Sequence, residues 1–208
     1  MQRKVRVVVF DLMDTLVRDP VHDAVPRYFG TDLAGFFGAV DHRLYRSFEQ
    51  GAVPCDAFYR GFRRDGAAID RARFEAHLAA AYQWVDGMEA VLQRLHAEGA
   101  VAVAMLSNYS CWYELVQDKL DVERYVEPGR VFVSYRTGLR KPAPESYLGV
   151  CKAMGVAPGE CLLVDDRKGN CEAAEALGMK AHVFHSASDL LVRLATESVL
   201  LSTPNSVL

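Results

Sequence analysis

The chain has 208 residues, half of them hydrophobic and a quarter charged, which suits one substantial domain or a core domain with a small insertion. A net charge of −3 supplies no basic surface for nucleic acid or an anionic membrane, and the longest apolar run, Ala100–Leu106, is far short of the roughly 20 residues a membrane span needs. Five cysteines without a single C-x-x-C pair argue against a disulfide framework or a zinc knuckle and leave reduced core thiols.

The first predicted element is a strand over Val5–Phe10 (VRVVVF), which runs straight into Asp11 and does not read as a secretory leader. The chain therefore reads as a soluble protein of a reducing compartment, the cytoplasm or an organelle stroma after removal of a targeting peptide. From about residue 18 to 84 no strand-like run occurs. Phe36, Phe37, Val40, Leu44 and Phe48 form one stripe at helical spacing, and Phe74, His77, Leu78 and Ala81 form another. They suit a helical cap inserted after strand one, or simply more core helices. A helix over Asp86–His96 with Asp86 as its cap and Gly99 as its stop leads to a second strand, Val101–Leu106. Val131–Val133 is a third strand, and a helix over Glu145–Met154 starts behind Pro144 and ends at Gly155. Cys161–Val164, a helix over Glu172–Leu177 and a last strand, Ala181–Phe184, complete the series. From about Ser198 the chain reads as a weakly ordered tail. Continuous apolar strands alternating with helices predict an α/β fold with a parallel sheet covered on both faces.

Each of these strands hands over to polar residues at its C-terminal tip, the edge where open α/β sheets bind ligands. Strand one ends in Asp11-Leu12-Met13-Asp14-Thr15 and strand two in Ser107-Asn108. Strand three is followed by Arg140-Lys141-Pro142, and strand four ends in Asp165-Asp166-Arg167 with Asn170 one helical turn on. Singly, these are an Asx turn, a helix cap, a loop lysine and a charge pair at a helix start. Together they bring a hydroxyl, a lysine and three carboxylates to one rim. Carboxylates suit Mg²⁺, and hydroxyl, amide and ammonium groups suit a phosphate.

In these motifs, over roughly residues 5 to 195, the chain resembles the haloacid dehalogenase superfamily. Phe10–Val17 (FDLMDTLV), Leu106–Asn108 (LSN), Arg140–Pro142 (RKP) and Leu163–Asn170 (LVDDRKGN) match its signatures in order. The resemblance implies a Rossmann-like core, residues 1–17 and 85–197, with a five-stranded parallel sheet in the order 5-4-1-2-3 and a small helical cap at 18–84. It implies that Asp11 attacks phosphorus, forming an aspartyl-phosphate that water hydrolyses. Ser107 and Lys141 would clamp the phosphoryl oxygens. Mg²⁺ would sit on Asp11, the Met13 carbonyl and Asp166, while Asp165 supports Lys141 or a metal-bound water. Thr15, Asn108 and Asn170 would make further substrate contacts. The runs MDTLVRDP, PRYFG, SNYSCWYELVQDKL, GLRKP and DDRKGN look like plant-type flavin mononucleotide hydrolases, which makes that flavin phosphate the leading substrate. The expected protein is thus a phosphomonoesterase of a small phosphorylated metabolite, acting as a monomer or homodimer without nucleic acid or membrane. Two alternatives stand beside it: a catalytically weakened relative that binds a phosphorylated ligand, and a 2-haloacid dehalogenase.

One departure matters. Phosphatases of this superfamily place an acid–base Asp two residues after the nucleophile, where this chain has Met13. A thioether has no proton to give, and losing a positioned acid–base typically costs about 10²–10⁴ in rate. Asp14 is the adjacent substitute the sequence offers. Tyr109 and Trp112 are candidate stacking surfaces for a flavin, although such aromatics more often serve as packing in the core or against the cap. Cys111, His182 and His185 read as structural.

Overall fold

The computed structural model describes residues 4–126 and 129–200. The first strand, β1, spans Val7–Phe10, two residues shorter than the apolar run predicts. The linker beyond Asp11 then forms a 3-10 turn at Pro20–His22 and five helices: α1 Ala24–Tyr28, α2 Leu33–Ala39, α3 His42–Glu49, α4 Cys55–Gly61 and α5 Arg71–Ala81. Aspartates cap three of them by accepting backbone N–H groups: Asp32 on α2, Asp41 on α3 and Asp70 on α5. The phenylalanine stripes of this insertion pack on one another, with Phe48 stacked on Phe58 at 3.9 Å between ring centroids. Chain entry and exit lie side by side, since Arg18 N–H donates to Gln83 O and Val85 N–H to Leu16 O.

The rest alternates as predicted. Helix α6, Met88–Glu98, leads to β2, Ala102–Ser107, and α7, Tyr113–Leu120; β3, Val131–Val133, continues into the short α8, Ser134–Thr137. Then come α9 Pro144–Met154, β4 Cys161–Asp165, α10 Lys168–Ala176, β5 Lys180–Val183 and α11 Ala187–Thr196. All pairings are parallel and the order is β3-β2-β1-β4-β5, with Val7 beside Ala102 on one side and Cys161 on the other. The strand order reverses at β1, so the crevice at its C-terminal tip is the expected ligand site.

Strand residues alternate between two cores. Val8, Phe10, Val103, Met105, Leu162 and Val164 face α6, α7, α11 and the insertion. Val7, Val9, Ala104, Leu106, Cys161 and Leu163 face α9 and α10. Burial on both faces explains why β1 to β4 are apolar up to their C-terminal tips rather than alternating, while the edge strand β5 carries the partly buried Lys180 and His182.

Two helix starts differ from expectation. Helix α6 is entered through Gly87 in a left-handed conformation (φ 80°), not through a capping Asp86, whose exposed carboxylate pairs with Arg18 instead. A Cβ on Gly87 would also lie 2.9 Å from Ala187, so the position needs glycine twice over. Helix α10 begins at Lys168, four residues before the predicted Glu172, because Asp165 accepts the Arg167 N–H and turns the chain at once. The predicted tail starts ordered: Val199 and Leu200 are buried in the core, and residues 201–208 lie outside those described.

Candidate active site

The strand tips converge. Phe10 pairs with Val164, so Asp11 and Asp165, the next residue on each strand, are neighbours. Lys141 comes from a distant loop and is held by its backbone: Asn108 donates to its carbonyl and accepts its N–H, both at 2.8 Å. The ammonium of Lys141 is 1% exposed and lies 2.9 Å from Asp11 Oδ1 and 2.5 Å from Asp165 Oδ2. Burial works against its charge, yet the two aspartates hold its pKa above the ordinary lysine value. Asp11, buried as well, is pushed up to about 6 by desolvation against the pull of Lys141, with Asp165 and Asp166 adding repulsion.

The paired acids divide their work. Asp165 is fully buried and its oxygens accept from Lys141, the Arg167 N–H and the Asn170 amide. Asp166 has no hydrogen-bond partner among the described residues, and burial followed by the charge of Asp165 raises its pKa. Ligand atoms of Asp11, Asp165 and Asp166 lie within 4.8 Å of one another. This hard-oxygen cluster, with two members raised by burial and further by repulsion between the carboxylates, fits a divalent cation such as Mg²⁺. Ser107 Oγ and Thr15 Oγ1 are buried and partnerless, so each hydroxyl lacks the bond that burial normally demands.

A cavity of about 170 Å³ opens over this cluster, walled by Asp11, Met13, Asp166 and Lys141 from the core and by Asp19 and Tyr45 from the insertion side. Ser107 and Thr15 do not line it. Asn108 and Asn170 do, but their amides are committed to Lys141 and Asp165, which makes them positioning residues rather than free substrate contacts. Tyr109 reaches the wall with its hydroxyl engaged by Tyr82. Trp112 does not reach it. Its indole N–H donates to Tyr59 at 2.7 Å, and its ring is wedged among Phe48, Phe58 and Phe74, so its place is in the seam between insertion and core. A wider depression of about 370 Å³, near Arg6, His96 and Arg130, brings no carboxylate together.

Asp14 sits in a left-handed backbone conformation (φ 56°), and both its oxygens are occupied. Oδ1 accepts the Asp19 N–H at 3.0 Å, and Oδ2 pairs with His22 Nε2 at 2.6 Å. Sequence reading passed over Asp19, His22, Glu49, Arg140 and Arg167. Asp19 accepts the Val21 N–H, and burial pushes its carboxyl up to about 6. Glu49, at the end of α3, pairs with Arg140 at 2.5 Å and ties the insertion to the residue before Lys141. Asp19 and Arg140 stood in view within the runs LVRDP and GLRKP, but only their place on the cavity wall marks them.

The chain matches the sequence profile of the haloacid dehalogenase-like hydrolases over residues 5–178. It is 33% identical to the chloroplastic flavin mononucleotide hydrolase 1 of Arabidopsis thaliana over 98% of this chain and 82% of that one. A sesquiterpene phosphatase of Aspergillus oryzae is 28% identical over 67% of this chain and 71% of its own length. A haloacid dehalogenase-family enzyme from Bacteroides thetaiotaomicron, solved with magnesium and inorganic phosphate, superposes with a TM-score of 0.71 at 20% identity, covering 88% of this chain and 96% of that one.

Proposed function

The chain belongs to the haloacid dehalogenase-like hydrolase family and is a phosphatase, and we propose that it is a Mg²⁺-dependent phosphomonoesterase with Asp11 as nucleophile and flavin mononucleotide as favoured substrate. The observation that carries this reading is the buried Asp11–Lys141–Asp165 chain of contacts, with Asp166 open beside it. Asp11 attacks phosphorus and the ester oxygen leaves, giving an aspartyl-phosphate that water then hydrolyses. Lys141, held cationic by two carboxylates, offsets the charge that builds on the phosphoryl oxygens. Ser107, whose hydroxyl is buried and unpartnered but does not line the cavity as it stands, would have to turn toward one of them to donate. Asp11, Asp166 and the Met13 carbonyl would hold Mg²⁺, which when bound supplies charge neutralisation and orientation.

Substrate choice comes from the insertion, acting as a cap. The phosphate end is lined by Asp11, Lys141, Asp166 and Arg167 with the amides of Asn108 and Asn170, polar groups that recognise no organic moiety. A small apolar chamber of about 40 Å³, walled by Val21, Phe36, Phe37 and Tyr45, lies against the cavity and suits an apolar leaving group. The combined space is below the roughly 300 Å³ usual for a ligand pocket. A flavin therefore enters with the cap displaced outward.

Release of phosphate from flavin mononucleotide and a panel of other monoesters, with Mg²⁺ and with a chelator, tests the reading. Turnover is expected to need Mg²⁺ and to vanish in Asp11→Asn, because an amide does not attack phosphorus. Chelator-resistant turnover, or near-parental rates in Asp11→Asn, would sink it.

A further inference from the structure

Accepting the phosphatase reading, the leaving alkoxide needs a proton, and Met13, 8% exposed in the cavity wall, cannot give one. Among the described residues five carboxylates line the cavity: Asp11, Asp14, Asp19, Glu49 and Asp166. Asp11 is the nucleophile, Asp166 is open to the metal, and Glu49 is tied to Arg140. The two oxygens of Asp14 are taken by the Asp19 N–H and His22. Asp19 differs in place as well as in partners. Among the described residues it is the one carboxylate that lines both the phosphate cavity and the adjoining apolar chamber. A phosphomonoester lying across the two puts its bridging oxygen at that junction, with phosphorus on one side and the organic group on the other.

We propose that Asp19 is the acid–base catalyst of this protein, and that Asp14 is its positioning residue. The geometry of the linker supports the assignment. Asp14 grips the Asp19 backbone at 3.0 Å, and Val21 N–H holds Asp19 Oδ1 at 2.9 Å, which leaves Oδ2 without a partner among the described residues. Proline at 20 fixes the backbone immediately after it, and the 3-10 turn at Pro20–His22 follows. Burial pushes the carboxyl up to about 6, within reach of donating near neutral pH. Asp14 and His22 face it from its own linker and Arg167 from the start of α10, with the hydroxyls of Tyr45, Tyr82 and Tyr109 also close.

The step balances. Asp11 forms an O–P bond as the ester P–O bond breaks, and the released electron pair on the ester oxygen takes the Asp19 proton, leaving alcohol, aspartyl-phosphate and the Asp19 carboxylate. That carboxylate then accepts a proton from water as the water oxygen bonds to phosphorus and the Asp11–phosphoryl bond breaks. Asp19 is again protonated, and the sum is ester plus water to alcohol plus phosphate.

The test compares glycerol phosphate with p-nitrophenyl phosphate in the Mg²⁺-loaded parent and in Asp19→Asn, which keeps the oxygen that caps Val21. Nitrophenolate leaves without a proton, so Asp19→Asn should release a burst of one nitrophenolate per active site and then turn over slowly for want of a base. On glycerol phosphate the same variant should show no burst and a loss of about 10²–10⁴ in turnover. Single-turnover phosphorylation of the parent by glycerol phosphate should slow as pH rises and Asp19 ionises, a dependence missing from Asp19→Asn. Asp19→Ser also keeps an oxygen for Val21 and carries the same expectations should the first variant not fold. Equal loss on both esters without a burst, or glycerol phosphate turnover within about threefold of the parent, overturns the assignment while leaving Asp11 in place. A parent that hydrolyses neither these esters nor flavin mononucleotide overturns the phosphatase reading and this one with it; a parent active on flavin mononucleotide alone should show on that primary alkyl ester the losses expected for glycerol phosphate.

Discussion

Arg140→Met is expected to destabilise the protein in a strongly pH-dependent way. Arg140 and Glu49 meet at 2.5 Å with side chains 26% and 8% exposed. Around them the end of α3 is fastened to α8 and its loop: Ser134 Oγ donates to Glu49 O, Gln50 donates to Gly138 O, and Gly51 passes so near Tyr135 that a Cβ would lie 2.2 Å from its carbonyl. Burial already raises the Glu49 pKa, and Arg140 is the main opposing influence. Without Arg140 the buried carboxyl takes up a proton on folding rather than staying charged. That uptake costs at most about 1.36 kcal/mol for each pH unit above the ordinary glutamate value of 4.5, or about 3.4 kcal/mol at pH 7 and about 0.7 at pH 5. The sign follows from the raised folded pKa: the variant keeps its stability at low pH and loses it as pH rises. Because Arg140 is a quarter exposed, some water reaches the pair, so a loss of about 2–3 kcal/mol at pH 7 is expected, and under about 1 kcal/mol at pH 5. Urea unfolding at the two pH values measures both. The double variant Arg140→Met/Glu49→Leu should recover most of the loss, since a buried pair and an apolar replacement are often near-equal in energy. Equal losses at pH 5 and pH 7 would refute the reasoning and leave packing as the cause.

The two neighbouring acids should behave differently in a Mg²⁺ titration. Asp166→Ala, which removes an unpartnered oxygen, should raise the metal concentration needed for activity at least tenfold while leaving the melting temperature near the parent's. Asp165→Ala should instead lower stability by about 3–5 kcal/mol, because Lys141 loses its 2.5 Å partner in a fully buried site; matching behaviour of the two variants would contradict the division of labour. Trp112→Ala should cost about 3–5 kcal/mol through the cavity it leaves among Phe48, Phe58 and Phe74. Because its ring also lines the apolar chamber, KM should rise more for flavin mononucleotide than for a small aliphatic phosphate, and an equal change would mark the indole as packing alone.

The sequence by itself determined the sheet, its rim and the family. Runs such as VVVF, AVAML and CLLV are apolar at every position because helices cover both faces, and that apolar character is a local property of each run. The polar tips were equally legible, since a residue that follows a strand in sequence follows it in space. Asp11 and Asp165 are adjacent because Phe10 pairs with Val164, and the order of motifs along the chain was enough to bring them together. Tertiary structure alone decided what the same residue types do once the insertion folds back. Trp112 was a candidate flavin contact from its place in the second motif, and the aromatic stripes of α3, α4 and α5 pack around it while its ring still lines the small apolar chamber beside the cavity. Asp14 looked like the natural substitute for the acid missing at Met13, but a left-handed backbone at φ 56° turns it onto the Asp19 N–H and His22. Asp19 carried no motif of its own, because the wall it shares between the carboxylate-lined cavity and the apolar chamber is completed by residues of α2 and α3 that only the folded chain brings there. Gly87 and Arg140 follow the same logic, the first needed for a contact with Ala187 a hundred residues on and the second for a carboxylate at the end of α3. Strand and motif are written in nearest-neighbour order and can be read from it, whereas a side chain's protonation, exposure and partners depend on groups that only the closed fold brings within a few ångströms.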